Sequence, residues 1–242
     1  MANQTKVAIV TGASRGLGRA IAAGLRARGW ALVVDARHGQ ALTEAEQDLR
    51  TRAESPAAVR AIVGDVTQAS HRRALAAAAA ELGGLDLLVN NAGILGPSPL
   101  PPLAAYPLDR LREVIEVNLV APLALYQETA ELLRAAAGGG RLVMITSDAA
   151  TEAYPGWGGY GAAKASIEQL AAVLAAEEPG LRVWSVDPGD LRTRMHQEAF
   201  PGEDISDRPE PETVVPAFLE LIESDHASGR VRLADLKAGP QG

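Results

Sequence analysis

The stretch that decides the fold is Lys6-Val7-Ala8-Ile9-Val10-Thr11-Gly12-Ala13-Ser14-Arg15-Gly16-Leu17-Gly18. Residues 6–10 form a short, mostly apolar run, the pattern of a strand buried on both faces of a sheet. Residues 17–28 carry the periodicity of an amphipathic helix. Between them, Gly12, Gly16 and Gly18 let the backbone turn sharply and approach a ligand with no Cβ in the way. The helix start that follows offers unpaired N–H groups and a positive dipole end, a combination suited to a pyrophosphate. The spacing is Gly-x-x-x-Gly-x-Gly rather than the commoner Gly-x-Gly-x-x-Gly. A tight strand–helix turn with no ligand is the alternative reading.

The same alternation continues outward from this turn. Further strands are expected at 30–34, 59–63, 85–89, 141–145, 181–186 and 230–233. Helices are expected at 41–53, 68–82, 108–119, 123–137, 161–177 and 212–223. Residues 96–107 are rich in proline and read as irregular, and 206–211 as an exposed loop. Strand–helix alternation with continuous apolar strands predicts an α/β fold: a doubly wound parallel sheet of about seven strands, with helices on both faces. With no internal repeat and no linker, 1–242 reads as one domain, with a substrate-loop or lid region at about 190–211.

Bulk properties narrow the function. The chain has 242 residues and a net charge of −7, with no basic block. That argues against nucleic acid, whose affinity comes mainly from Lys/Arg contacts to phosphate, and against anionic lipid. There is no cysteine, which excludes disulfides, thiolate catalysis and thiolate metal sites. His38, His71, His196 and His226 are scattered without ligand-like spacing, so no metal is expected. No apolar run is long enough to span a membrane, and the N-terminus lacks a signal-peptide core, so a cytoplasmic location is expected.

The end of the second strand, Val34-Asp35-Ala36-Arg37, bears on the ligand. In dinucleotide-binding units an acidic residue here bonds the adenosine ribose of NAD, whereas an arginine accommodates the 2′-phosphate of NADP. Strand side chains alternate, so Asp35 and Ala36 cannot both face a ribose.

Several motifs in order give the chain its resemblance. They are Thr11-Gly12-x-x-x-Gly16-x-Gly18, Asn90-Asn91-Ala92-Gly93 after the fourth strand, Asn118 in a helix, Ser147 thirteen residues before Tyr160-x-x-x-Lys164, and Pro188-Gly189 followed by Thr193. The chain resembles the single-domain short-chain dehydrogenase/reductase family from about Lys6 to Gly189. It departs from the family in its proline-rich stretch and in a C-terminus without a closing Gly-Gly element.

The resemblance implies a hydride transfer between a nicotinamide cofactor and a ketone/secondary alcohol pair. Tyr160 would exchange the proton, Ser147 would polarise the reacting oxygen, and Lys164 would hold the nicotinamide ribose and favour the phenolate. Asn118 would fix a water that relays protons to Lys164. Gly12, Ser14, Arg15, Gly16, Leu17, Gly18, Arg37, Asp65, Val66, Asn91, Ala92 and Gly93 would hold the adenosine and phosphate half. Tyr160, Lys164, Pro188, Gly189, Leu191 and Thr193 would hold the nicotinamide half.

NAD-preferring members place Asp at the position of Ala36. Arg15 and Arg37 match basic residues of NADP-preferring members, so the resemblance favours NADP(H) over NAD(H). Asp65 is equally readable as a turn cap. The substrate, a small carbonyl or alcohol, is expected beyond the strand ends, against Leu95, Tyr154, Trp157 and Met195, with Ile94 and Phe200 nearby. His196 is expected to be solvent-exposed. A homodimer or homotetramer through the Ala-rich helices is expected. The alternatives are an NAD-dependent dehydrogenase working oxidatively, or a non-catalytic nucleotide-sensing regulator on the same fold. A regulator would be expected to lose part of the Ser–Tyr–Lys set, which is complete here.

Overall fold

Each apolar run finds a parallel neighbour. The strands are β1 (Val7–Val10), β2 (Ala31–Ala36), β3 (Val59–Val63), β4 (Leu87–Asn90), β5 (Arg141–Ile145), β6 (Arg182–Asp187) and β7 (Gly229–Arg232). They form one sheet in the order β3-β2-β1-β4-β5-β6-β7, with every pair parallel. The computed structural model of the chain describes residues 5–51 and 57–236. The last residues of the expected 41–53 helix, the N-terminal Met1 to Gln4 and the Gly-rich tail lie outside the described residues.

The helices are α1 (Gly16–Ala27), α2 (Gly39–Thr51), α3 (Ala69–Glu81), α4 (Leu108–Ile115), α5 (Ala121–Arg134), α6 (Gly158–Glu177), α7 (Arg194–Ala199) and α8 (Val215–Glu223). Alternation along β1 divides them between two layers. Ala8 and Val10 pack with Ile21 and Leu25 of α1, Leu42 of α2 and Phe218 of α8. Val7 and Ile9 pack with Leu75 of α3, Leu125 of α5 and Ile167 of α6. The sheet is therefore covered on both faces, which is why its strands are apolar throughout. None of the described helices is long and apolar enough to cross a membrane.

Three local expectations need correction. The sequence places a helix break near Pro122, but the chain stays helical from α4 to α5 through a π turn at Glu116–Val120. Pro122 has no N–H to complete an i→i−4 bond, and the widened turn lies immediately before it. The helix expected at 161–177 starts earlier, at Gly158, so that α6 takes in the Gly158-Gly159 pair. These glycines fit against Leu103 and Tyr106 of the proline-rich segment, and that packing overrides their low propensity. Finally, the loop expected after Asp190 contains α7, whose start is fixed by the Thr193 hydroxyl accepting the His196 N–H at 3.2 Å.

The strand order reverses direction between β1 and β4. In such sheets the crevice opens beyond the carboxyl ends of the strands at that reversal.

Candidate active site

A crevice of about 580 Å³ lies at that point, and the glycine turn forms its floor. Gly12 has φ of 67° and Gly16 of 54°, in the left-handed region open to glycine at little cost. A Cβ at Gly18 would sit 2.4 Å from Asn91 Nδ2 and 2.6 Å from the Gly12 carbonyl oxygen. The turn is this tight because the loop after β4 is bonded to it. The buried Thr11 hydroxyl accepts the N–H groups of Asn91 and Ala92, each at 3.0 Å, and donates to the Val89 carbonyl at 3.3 Å. Asn91 Nδ2 donates to the Thr11 carbonyl at 2.8 Å. Asn91 thus serves the site by tying two loops together.

Thr11→Val keeps the shape but takes the hydroxyl acceptor from the Ala92 N–H, while the Asn91 N–H keeps the Val89 carbonyl at 3.1 Å. We expect it to cost about 1–3 kcal/mol in urea unfolding, the penalty for an orphaned donor.

From below, Asp35 holds the turn. Its carboxylate accepts the Gly12 N–H at 2.7 Å and bonds His71 Nε2 at 2.8 Å, and both side chains are buried. Asp35 is committed to the protein, in keeping with its position one residue early for a ribose contact.

The adenosine end of the crevice is cationic. The helix start at α1 has no side-chain cap and no acidic residue in its first turn. Arg15 and Arg37 are exposed and line the crevice, and neither side chain has a hydrogen-bond or ion-pair partner among the described residues. Asp65 and Val66 line the same end. Asp65 Oδ1 accepts the N–H and the hydroxyl of Thr67, each at 2.9 Å, so it acts as a turn cap while facing the crevice. Ser14, Leu17, Gly93, Leu191, Pro188 and Gly189 complete the walls. Thr193 lies across from Gly16, its Cγ2 3.6 Å from where a Cβ would be.

At the other end, α6 presents Tyr160 and Lys164 one turn apart, both buried. The Lys164 ammonium donates to the Ile145 carbonyl at 2.7 Å and lies 5.5 Å from the centre of the Tyr160 ring. Burial lowers its pKa to about 8. Among the described residues the Tyr160 hydroxyl meets only the Met195 sulfur, at 3.9 Å.

Burial pushes the Tyr160 phenol well above its usual range, and the carboxylates of Asp148 and Asp187 push the same way. Ser147 also lines the crevice, its hydroxyl donating to Asp148 Oδ1 at 2.9 Å.

Asn118 sits in the π turn and is buried, but both ends of its amide are engaged. Its Oδ1 accepts the Ile94 N–H at 2.9 Å and its Nδ2 donates to the Ile94 carbonyl at 2.8 Å. The side chain therefore pins the loop after β4.

Leu95, Trp157 and Met195 line the crevice, as does Ile94. Tyr154 is outside the lining, because its hydroxyl is turned onto Asp148 Oδ2 at 3.0 Å and its ring meets Trp157 edge-on. Phe200 supports the wall from behind, packed on Trp157 and His196. His196 is not solvent-exposed as expected. Its side chain is only 11% exposed, because α7 folds it against Phe200 with its edge on the crevice.

Sequence reasoning missed Thr11 as a staple, Asp148, and Arg230. The last donates to Asp187 at 3.0 Å and to Glu168 at 2.9 Å, joining β7 to β6 and α6. Only Asp148, adjacent to Ser147, carried a signal in the sequence.

The shape and charge of this crevice suit a dinucleotide. Two guanidiniums without partners among the described residues and an uncapped helix start stand at one end, and a phenol and an ammonium at the other. Such an arrangement is that of a nicotinamide-dependent oxidoreductase.

A sequence profile described as short chain dehydrogenase matches residues 6–204. The chain is 38% identical over 202 residues to sepiapterin reductase of Meriones unguiculatus, covering 80% of this chain and 77% of that protein. It is 32% identical over 237 residues to the chloroplastic NADPH-dependent aldehyde reductase-like protein of Arabidopsis thaliana, covering 93% and 82%. An alcohol dehydrogenase of Thermococcus sibiricus, solved in complex with 5-hydroxy-NADP, superposes with a TM-score of 0.83 at 27% identity, covering 98% of both chains. The chain belongs to the short-chain dehydrogenase/reductase family and is an NAD(P)-dependent enzyme acting on a small-molecule substrate.

Proposed function

We propose that the protein is an NADP(H)-dependent ketoreductase or alcohol dehydrogenase, interconverting a ketone and a secondary alcohol. The observation that carries this reading is the Tyr160 hydroxyl, buried at the crevice with no donor or acceptor beyond the Met195 sulfur among the described residues. A phenol held protonated well above neutral pH is suited to giving its proton to a carbonyl oxygen. When bound, the nicotinamide supplies the hydride. Ser147 polarises the same oxygen, and the Lys164 ammonium stabilises negative charge developing on the phenol. Asn118 contributes by fixing Ile94 at the crevice wall. Leu95, Trp157 and Met195 form an apolar seat for the substrate, and the 190–211 segment with α7 covers it.

The preference for NADP(H) rests on Arg15 and Arg37. Two guanidiniums without partners among the described residues could bracket a 2′-phosphate with charge-assisted bonds. Ser14, the glycine turn and the start of α1 would hold the pyrophosphate, Asp65 and Val66 the adenine, and Thr193 with Pro188-Gly189 the nicotinamide side. We further propose a cytoplasmic homodimer or homotetramer, assembled through α5 and α6.

The test is to measure NADPH and NADH affinities side by side, then to assay a panel of carbonyl compounds with the preferred cofactor. We expect Arg37→Ala to weaken NADPH binding about 10- to 100-fold, the loss of a charge-assisted bond, with little change for NADH. Equal losses for both cofactors would overturn the assignment.

A further inference from the structure

Asp148 follows the serine of the active site and has no part in the scheme above. Its carboxylate joins two hydroxyls. Oδ1 accepts the Ser147 hydroxyl at 2.9 Å and Oδ2 accepts the Tyr154 hydroxyl at 3.0 Å. The Ala149 N–H reaches both Asp148 Oδ1, at 2.8 Å, and Ser147 Oγ, at 3.2 Å. No arginine or lysine pairs with Asp148 among the described residues, whereas the nearby Asp187 is paired with Arg230.

A serine hydroxyl has a single proton. In the resting site that proton belongs to a carboxylate, a better acceptor than a ketone oxygen. With its proton hydrogen-bonded to Asp148 and its oxygen accepting the Ala149 N–H, Ser147 has no donor to offer, while a carbonyl substrate needs one.

We propose that Asp148 is a positioning residue for the reaction: it holds the Ser147 proton in the resting site, and must yield it to the substrate oxygen before Ser147 can polarise the carbonyl. This inference rests on the reading of Ser147 as the polarising group. It makes the polarisation adjustable, because the strength of the Asp148 bond sets how readily the proton is released. Tyr154, exposed at the rim, supplies the second bond that keeps the carboxylate satisfied while Ser147 turns away.

The same negative charge acts on Tyr160. The groups facing that phenol are Lys164 on its own helix, Asp148 after β5, Asp187 at the end of β6 with Arg230 paired to it, and His196 across the crevice on α7. On α4, Arg110 and Glu113 also line the crevice but pair with each other. Asp148 opposes ionisation of the phenol. Removing its charge lets the Tyr160 proton leave at lower pH, so the alkaline limb of the reductive pH profile moves down.

The experiment compares Asp148→Asn and Asp148→Glu, each in the wild-type and Ser147→Ala backgrounds, using the full chain, NADPH and the fastest carbonyl of the panel. A neutral acceptor holds the serine proton less tightly. We expect Asp148→Asn to raise kcat for reduction about fivefold at pH 7 with KM little changed, and to shift the alkaline limb down. In the Ser147→Ala background the gain in kcat disappears. Asp148→Glu keeps the wild-type profile.

A second readout needs no substrate. The phenolate absorbance of Tyr154, isolated by subtracting the Tyr154→Phe variant, should titrate at lower pH in Asp148→Asn and not in Asp148→Glu. An unmoved Tyr154 titration, an unchanged or lower kcat in Asp148→Asn, or the same gain in both backgrounds overturns the proposal. If the wild type reduces no member of the panel, the ketoreductase reading fails and the proposal with it, and the titration then decides only whether Asp148 holds the Tyr154 hydroxyl.

Discussion

Tyr160→Phe is expected to lower turnover about 10³-fold while leaving cofactor affinity and the unfolding midpoint close to wild type. The ring and the hydroxyl have separable roles. The ring packs in a cluster with Leu95, Ala149 and Ala199 and meets Trp157 edge-on, with ring centres 5.9 Å apart. Phenylalanine preserves all of that. The hydroxyl makes no strong bond inside the protein, so its removal orphans nothing. The loss therefore falls on proton transfer, which a positioned acid accelerates by about 10²–10⁴. A 10³-fold loss corresponds to about 4 kcal/mol of transition-state stabilisation. Single-turnover reduction with NADPH, alongside NADPH titration and thermal unfolding, separates the three quantities. Wild-type turnover in the variant would show that another group carries the proton.

The sign of the pH dependence follows from the same site. Tyr160 is protonated through the neutral range, so reduction needs no prior ionisation. Oxidation needs the phenolate, and its rate should climb with pH. The positive charge of Lys164 that would help it is itself weakened by burial, with a pKa near 8 in the resting protein.

Much of this arrangement is legible in the sequence because it is local. The β1 turn, the Tyr160/Lys164 pair and the loop after β4 are each fixed by a few consecutive residues with special backbone or side-chain needs. Strand positions were legible because burial on both faces leaves continuous apolar runs. What escaped depends on partners distant in the chain. The helix survives Pro122 because a π turn precedes it, and the Gly158-Gly159 start of α6 depends on Tyr106 and Leu103 filling the space the glycines leave. His196 looked like a surface residue because nothing in its neighbours announces α7, which rests on the Thr193 cap and on the Phe200 ring. Asn118 could be located by its motif, but its hydrogen-bond partner, Ile94, is 24 residues away.

Asp35 takes its role from partners distant in the chain, and its replacement should have the second large effect. Asp35→Ala is expected to destabilise the protein by about 3–5 kcal/mol, the cost of removing one partner of a buried pair. Three groups depend on that carboxylate in sequence: the Gly12 N–H at 2.7 Å, His71 Nε2 at 2.8 Å, and through Gly12 the turn beneath the crevice. Alanine leaves the Gly12 N–H and the imidazole without their acceptor, at a place where the Asp35 and His71 side chains are both buried. His71 cannot swing out, because its ring fills the space beside Gly64, where a Cβ would lie 2.2 Å from Nδ1. Asp35→Asn keeps an oxygen for Gly12 and should lose only about 1 kcal/mol. The functional signature separates this residue from the arginines at the crevice mouth. A loosened glycine turn weakens the hold on the pyrophosphate, which both cofactors share, so Asp35→Ala should reduce NADPH and NADH affinity by the same factor. Arg37→Ala should discriminate between them. Urea unfolding of the two Asp35 variants, with both cofactors titrated into each, tests the assignment. A selective loss of NADPH binding at Asp35→Ala would place that carboxylate at the ribose instead of under the turn.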